Sequence, residues 1–157
     1  MPIDRRRLLQ VVAILGAVCA YTTIVVGGTV RGMNAGLACP DWPLCNGSVV
    51  PNLADTGILV EYIHRLVAAL TGIFMLSTLI AAVLWFRPEM RIVTLSVMSF
   101  AILVTQVAVG ALTIASENDW VIVTIHLALG TATLASALIV ALVSLWPAAP
   151  SKGATVG

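Results

Sequence analysis

The sequence predicts an all-α integral membrane protein, a four-helix bundle built from two repeated helical hairpins with both termini cytoplasmic. Three observations carry that expectation. Hydrophobic residues make up 60% of the 157 and charged residues 10%, at a mean hydropathy of +1.06, which is far too apolar for a soluble domain. Four apolar runs, about 8–30, 58–86, 92–115 and 120–146, each reach the roughly 20 residues that a bilayer crossing needs. Arg5, Arg6, Arg7, Arg87, Arg91 and Lys152, six of the eight basic residues, fall on one side of those runs. Asp41, Asp55, Glu61, Glu117 and Asp119 fall on the other. An excess of arginine and lysine marks the cytoplasmic side. The length suits one membrane domain, 1–157. A net charge of +1 argues against a nucleic-acid partner; the surrounding partner is the lipid bilayer of the cell membrane, crossed several times.

The first run follows three arginines, as a cleaved signal peptide ending at Ala17-Val18-Cys19-Ala20 also would. It continues apolar through Val30, longer than a signal core, and its removal would leave a hairpin unpaired. Gly16, Ala20, Gly27 and Gly28 supply the small side chains that let helices approach in lipid. Cys19 reads as an inert thiol.

The segment of about 31–57 is an extracytoplasmic loop. Pro40, Pro43 and Pro51 forbid a continuous helix, and Gly32, Gly36, Gly47 and Gly57 supply turns. Cys39 and Cys45 on the outer side read as a disulfide closing a small loop, with thiol catalysis and zinc binding as competing readings. The spacing is not that of a CxxC pair, and no outer cysteine or histidine cluster completes a zinc site.

The second run opens on Glu61-Tyr62-Ile63-His64-Arg65. Glu61 and His64 are three apart and share a helical face. The third run carries Gln106 and Gly110, four apart, for a helix contact that includes a polar group. The fourth carries His126, the second of only two histidines. Two features repeat: Val26-Gly27-Gly28 is echoed by Val109-Gly110-Ala111, and Ile63-His64-Arg65-Leu66 by Ile125-His126-Leu127. Two like-oriented hairpins related by an axis along the membrane normal put both imidazoles at one depth.

A single such histidine reads as an interfacial residue bonded to water or a neighbour. Two at equivalent positions in an apolar setting read as axial ligands of a haem iron, whose porphyrin fills the other four positions. Ionisable groups inside membrane helices are costly and mark function. Arg65 reads either as a partner for a haem propionate or as an ion-pair partner of Glu61, four residues earlier. Glu61 reads either as a helix-start acid or as an acid placed to take a proton beside the iron ligand.

These residues carry a resemblance. Gly28-Thr29-Val30-Arg31, the loop from Asn34 to Gly47 with its Cys39-Pro40-Asp41-Trp42-Pro43-Leu44-Cys45-Asn46-Gly47 centre, and Glu61-Tyr62-Ile63-His64-Arg65 resemble the haem A synthase family. Gln106 through Thr113 and Ile125-His126-Leu127 resemble its later helices. The resemblance implies a membrane oxidoreductase converting the C8 methyl group of haem O to the formyl group of haem A for terminal oxidases, through two hydroxylations and loss of water. It implies His64 and His126 as axial ligands, Glu61 as the assisting acid, and Cys39 and Cys45 as an outer disulfide. Family members usually have eight helices in two halves, one for substrate and one for haem b. This chain corresponds to one half, so a homodimer or higher oligomer would supply both haem sites, with haem b or haem O as occupant and haem O synthase as a further partner. The rival readings are a bis-histidine cytochrome b that only transfers electrons, a thiol oxidase, and a structural oxidase subunit without haem.

Overall fold

The computed structural model describes residues 4–146; Lys152, one of the basic residues used above, lies outside them. Four helices account for the fold: α1 (Arg5–Gly32), α2 (Thr56–Trp85), α3 (Met90–Ala115) and α4 (Trp120–Leu145), each long and apolar enough to span a membrane. Among the described residues there is no β-strand, only an isolated bridge between Cys45 and Ser48.

The starts of α1, α2 and α4 are set by aspartates. Asp4 accepts from the backbone N–H groups of Arg6 and Arg7, Asp55 from Ile58, and Asp119 from Val121 and Ile122. Each thereby satisfies donors that the helix itself leaves free. These caps start α1 and α2 a few residues before the apolar runs do. At the other end of α2, Pro88 excludes its predecessor from the helical region, so the chain turns between Phe86 and Glu89.

The helices pack as a ring. α1 lies against α2 and α4, and α3 against α4 and α2, with the contacts inside each hairpin the most extensive. At the end holding the α1 start, Arg6 donates to the carbonyls of Ser144 and Trp146 and pairs with Glu89. Positive charge at the α4 C-terminus complements its dipole, and one side chain ties both hairpins together. Leu9, Ala81, Ala82, Phe86 and Ile92 form the apolar plug beneath it.

The hairpin repeat extends into the packing. Leu9, Ala13, Gly16 and Ala20 of α1 stand in the same register to Gly27 as Ile92, Ser96, Ser99 and Leu103 of α3 stand to Gly110, and all eight are buried. Thr71, Met75, Thr78 and Ala82 follow His64 as Thr133, Ala137, Val140 and Ser144 follow His126, again all buried. An apolar and small-residue core therefore fills the bundle from Arg6 to about Thr71 and Gly130. Beyond it the core ends. Apart from Glu61 in α2 and Val30 near the end of α1, no helical residue is buried in α1 after Ala20, in α2 before Thr71, in α3 after Leu103 or in α4 before Gly130.

The 33–55 loop covers this less packed end. Cys39 and Cys45 are joined as a disulfide with Cα atoms 4.6 Å apart. Asp41 accepts from the backbone N–H groups of Gly47 (2.8 Å) and Asn46 (2.6 Å), and these bonds, the Gly47 bond foremost, hold its carboxyl below the usual carboxylate range. Gly36 brings the loop down onto the α3–α4 turn, since a Cβ there would come within 2.8 Å of the Asn118 side chain.

Candidate functional site

At the loop-covered end each hairpin presents one imidazole seated on a glycine of its companion helix. A Cβ on Gly27 would lie 2.8 Å from Cε1 of His64, and one on Gly110 would lie 2.9 Å from Cε1 of His126. Both distances are below any tolerable contact, so the missing side chains are what let the rings pack against α1 and α3. The repeat that pairs Gly27 with Gly110 and His64 with His126 is thus a repeat of contacts as well as letters.

These glycines make a sharp prediction. Gly27→Ala and Gly110→Ala are each expected to destabilise the protein by about 1–3 kcal/mol through overpacking, although alanine is the better helix former. Gly28→Ala, where a Cβ meets nothing, should be neutral or stabilising. Unfolding titrations in mixed micelles measure all three, and equal behaviour of Gly27 and Gly28 variants would contradict the seating described here.

The second contacts of the rings differ. Nδ1 of His64 lies 3.2 Å from the carbonyl oxygen of Thr23, one turn before Gly27. A carbonyl only accepts, so Nδ1 carries the proton and Nε2 carries the lone pair. That is the tautomer a metal-ligating imidazole adopts when its other nitrogen is oriented by a backbone carbonyl. Thr23 is itself fixed, its hydroxyl 3.1 Å from that of buried Thr71. In the second hairpin the residue matching Thr23 is Gln106, whose amide nitrogen lies 3.5 Å from Nε2 of His126. Nδ1 of His126 and Oε1 of Gln106 are buried without a hydrogen-bond partner among the described residues. Buried polar atoms left unpaired are costly. The sequence placed Gln106 on a helix contact; the structure brings it to His126, and its register with Thr23 was the available signal.

Glu61 is 6% exposed. Its Oε1 accepts from Nε of Arg65 at 2.9 Å, while Oε2 has no hydrogen bond among the described residues. The remaining guanidinium nitrogens of Arg65 reach upward into the loop. Nη1 donates to the carbonyls of Asp41 and Leu44 and Nη2 to that of Cys39. Of the two roles open to Arg65, the ion pair with Glu61 is present, and four of its five N–H groups are engaged by the protein. Sequence reading had not foreseen that Arg65 is the hinge pin between the disulfide loop and α2.

Two imidazoles are two ligands short of a tetrahedral zinc site, and among the described residues no three His, Cys, Asp or Glu side chains converge on a metal position. They suit a group that brings its own equatorial ligands. Unpartnered His126 Nδ1, glycine cradles that admit the rings, and the end of the packed core at this depth all fit such a flat, largely apolar group.

Comparison with known proteins agrees. The family described as Cytochrome oxidase assembly protein (COX15-CtaA) matches residues 10–155. The chain is 27% identical to a haem A synthase of Exiguobacterium sibiricum over 131 residues, 81% of this chain and 44% of that protein. It is 32% identical to one from Shouchella clausii over 102 residues, 65% of this chain and 34% of that protein. It is also 36% identical to a protohaem IX farnesyltransferase of Halobacterium salinarum over 143 residues, 88% of this chain but 30% of that protein. The chain spans less than half the length of these curated relatives. With four membrane-spanning helices and a family match over nearly its whole length, the chain belongs to the haem A synthase family of cytochrome oxidase assembly proteins.

Proposed function

We propose that this chain is a haem-binding oxidoreductase of haem A biosynthesis. It holds haem through His64 and His126 and oxidises the C8 methyl group of haem O to a formyl group. The observation that carries this reading is the duplicated seat: two histidines, one per hairpin, each against a glycine of its companion helix. When bound, the haem would supply the redox chemistry, with an external oxidant taking up the electrons that leave the methyl carbon.

The chain's own residues supply position and proton handling. His64, held by the Thr23 carbonyl, offers Nε2 as a ligand, and the unpartnered nitrogen of His126 is free to be ordered by the cofactor or a water. Glu61 shares the His64 face one turn nearer the loop. Arg65 neutralises its charge through Oε1 and leaves Oε2 to hold or accept a proton from the reacting methyl group or its hydroxyl. One N–H of Arg65 remains for a haem propionate. The Cys39–Cys45 loop is the outer lid. The arginine distribution supports an extracytoplasmic loop and cytoplasmic termini, with 1–157 as one membrane domain in the cell membrane. A homodimer would provide two haem sites. The match to part of a farnesyltransferase supports haem O synthase as the neighbour that hands over substrate.

Glu61→Gln tests the chemistry. It keeps shape and one hydrogen bond but removes the proton-accepting charge, so haem content should persist while haem A in the extracted-haem analysis falls by about 10²-fold or more. Unchanged haem A would favour a cytochrome b that only transfers electrons, the reading in which the Glu61–Arg65 pair is purely structural.

A further inference from the structure

Hydroxyl groups inside the membrane-spanning helices mostly give their hydrogen to their own backbone. Thr71, Thr78, Thr105 and Thr133 each donate to the carbonyl four residues earlier, the local outlet open to serine and threonine in a helix. Ser96 of α3 does not. It is 3% exposed, and its Oγ is buried without a hydrogen-bond partner among the described residues. A hydroxyl left in that state inside a membrane bundle is costly.

Ser96 lines a small cavity to which all four helices contribute. Six of the lining residues are three repeat pairs: Ala13 with Ser96, Met75 with Ala137, and Thr78 with Val140. The cavity therefore lies where the two hairpins face each other across the axis that relates them. Ser99 is the seventh lining residue, and none of the seven is more than 5% exposed. The space open to the centre of a water-sized sphere is about 10 Å³. That meets the lower bound of the roughly 10–15 Å³ that one water needs, and leaves no room for a second.

We infer that this cavity binds a single water molecule, held by Ser96, Thr78 and Ser99. The hydrogens carry the assignment. Thr78 gives its own to the Phe74 carbonyl and keeps a lone pair on Oγ1. Ser136 gives its own to the Thr133 carbonyl, so Ser99 is the donor in the 2.9 Å contact between Ser99 and Ser136. The Ser99 oxygen therefore also keeps a lone pair. The wall thus offers two acceptors and, at Ser96, one uncommitted donor. A water molecule brings two hydrogens and an acceptor, the complement of that set, and three bonds are what a buried water typically makes.

The asymmetry between the hairpins decides what the water joins. In the Ala13–Ser96 pair the polar member is on α3, and in the Thr78–Val140 pair it is on α2. The water therefore bridges α2 to α3, the seam that meets less extensively than α1 with α4. Thr78 is fourteen residues beyond His64, about 21 Å along α2. The site is thus separate from the histidines and does not depend on the haem-binding reading.

Thermal unfolding of the full chain in detergent micelles tests the energetics. Ser96→Ala is expected to lower Tm by about 3–5 °C, because it removes the donor that anchors the water. Thr78→Val, which installs the residue of the other hairpin, should lower it by a similar amount. The double variant should lose less than the sum, since both side chains act through one shared molecule. A hydroxyl with no partner predicts the opposite sign: Ser96→Ala would then hold or raise Tm, and that result overturns the inference. Simple additivity of the two substitutions overturns it as well. Diffraction at a resolution that shows ordered solvent gives the direct check. A peak within hydrogen-bonding distance of Oγ of Ser96, Oγ1 of Thr78 and Oγ of Ser99 is expected, and no peak there, or a Ser96 hydroxyl turned to its own helix, refutes the site.

Discussion

Alanine at His64 or at His126 is expected to lower the haem retained by the purified protein by about 100-fold or more, since even supporting contacts to a metal ligand are worth about 10–100-fold. The fold should survive either change. Neither ring belongs to the buried core, which ends at Thr71 and Gly130, and the helical circular dichroism should match wild type. Loss of one axial imidazole also leaves a site that an added ligand can enter, so free imidazole should restore part of the low-spin spectrum to the glycine variants at the same positions. The two histidines should not respond identically to loss of their supports. Gln106→Ala removes the amide that lies 3.5 Å from Nε2 of His126, whereas no side-chain substitution removes the Thr23 carbonyl that orients His64. Full haem retention in either alanine variant would refute the paired-ligand reading.

The four helices were legible because length and hydropathy alone decide them in lipid, where every backbone group must be satisfied within the segment. The exact starts of α1 and α2 were less so, because Asp4 and Asp55 recruit flanking residues that are not apolar. The repeat was visible as two short echoes, one pairing Gly27 with Gly110 and one pairing His64 with His126. The reason for it, a ring resting where a Cβ would stand, needs two helices at once and is not written in either. Arg65 makes the same point. Helical spacing offered it Glu61, and the ion pair is there, but its loop carbonyls are 21 to 26 residues away in sequence. Carbonyls belong to every residue type and leave no compositional trace.

Replacing Arg65 with methionine should be the most destabilising single change at this end of the molecule. It strands the Glu61 carboxylate, whose side chain is 8% exposed, and breaking one partner out of a buried pair costs about 3–5 kcal/mol. It also frees the carbonyls of Cys39, Asp41 and Leu44 at once. For a chain of this size such a loss corresponds to a fall in Tm of about 10 °C, readable by thermal unfolding in detergent. Lysine should rescue little of it, because an ammonium cannot reproduce a planar fork that serves a carboxylate on one edge and the loop on the others. Pairing Arg65→Met with Glu61→Gln should recover part of the stability by removing the stranded charge, while the loop stays loose and its disulfide becomes faster to reduce. That separation is what distinguishes a pin from a simple ion pair. If the double variant regained both stability and resistance to reduction, the loop would be held by something other than Arg65. If Arg65→Lys matched wild type in both, the fork geometry would carry no weight.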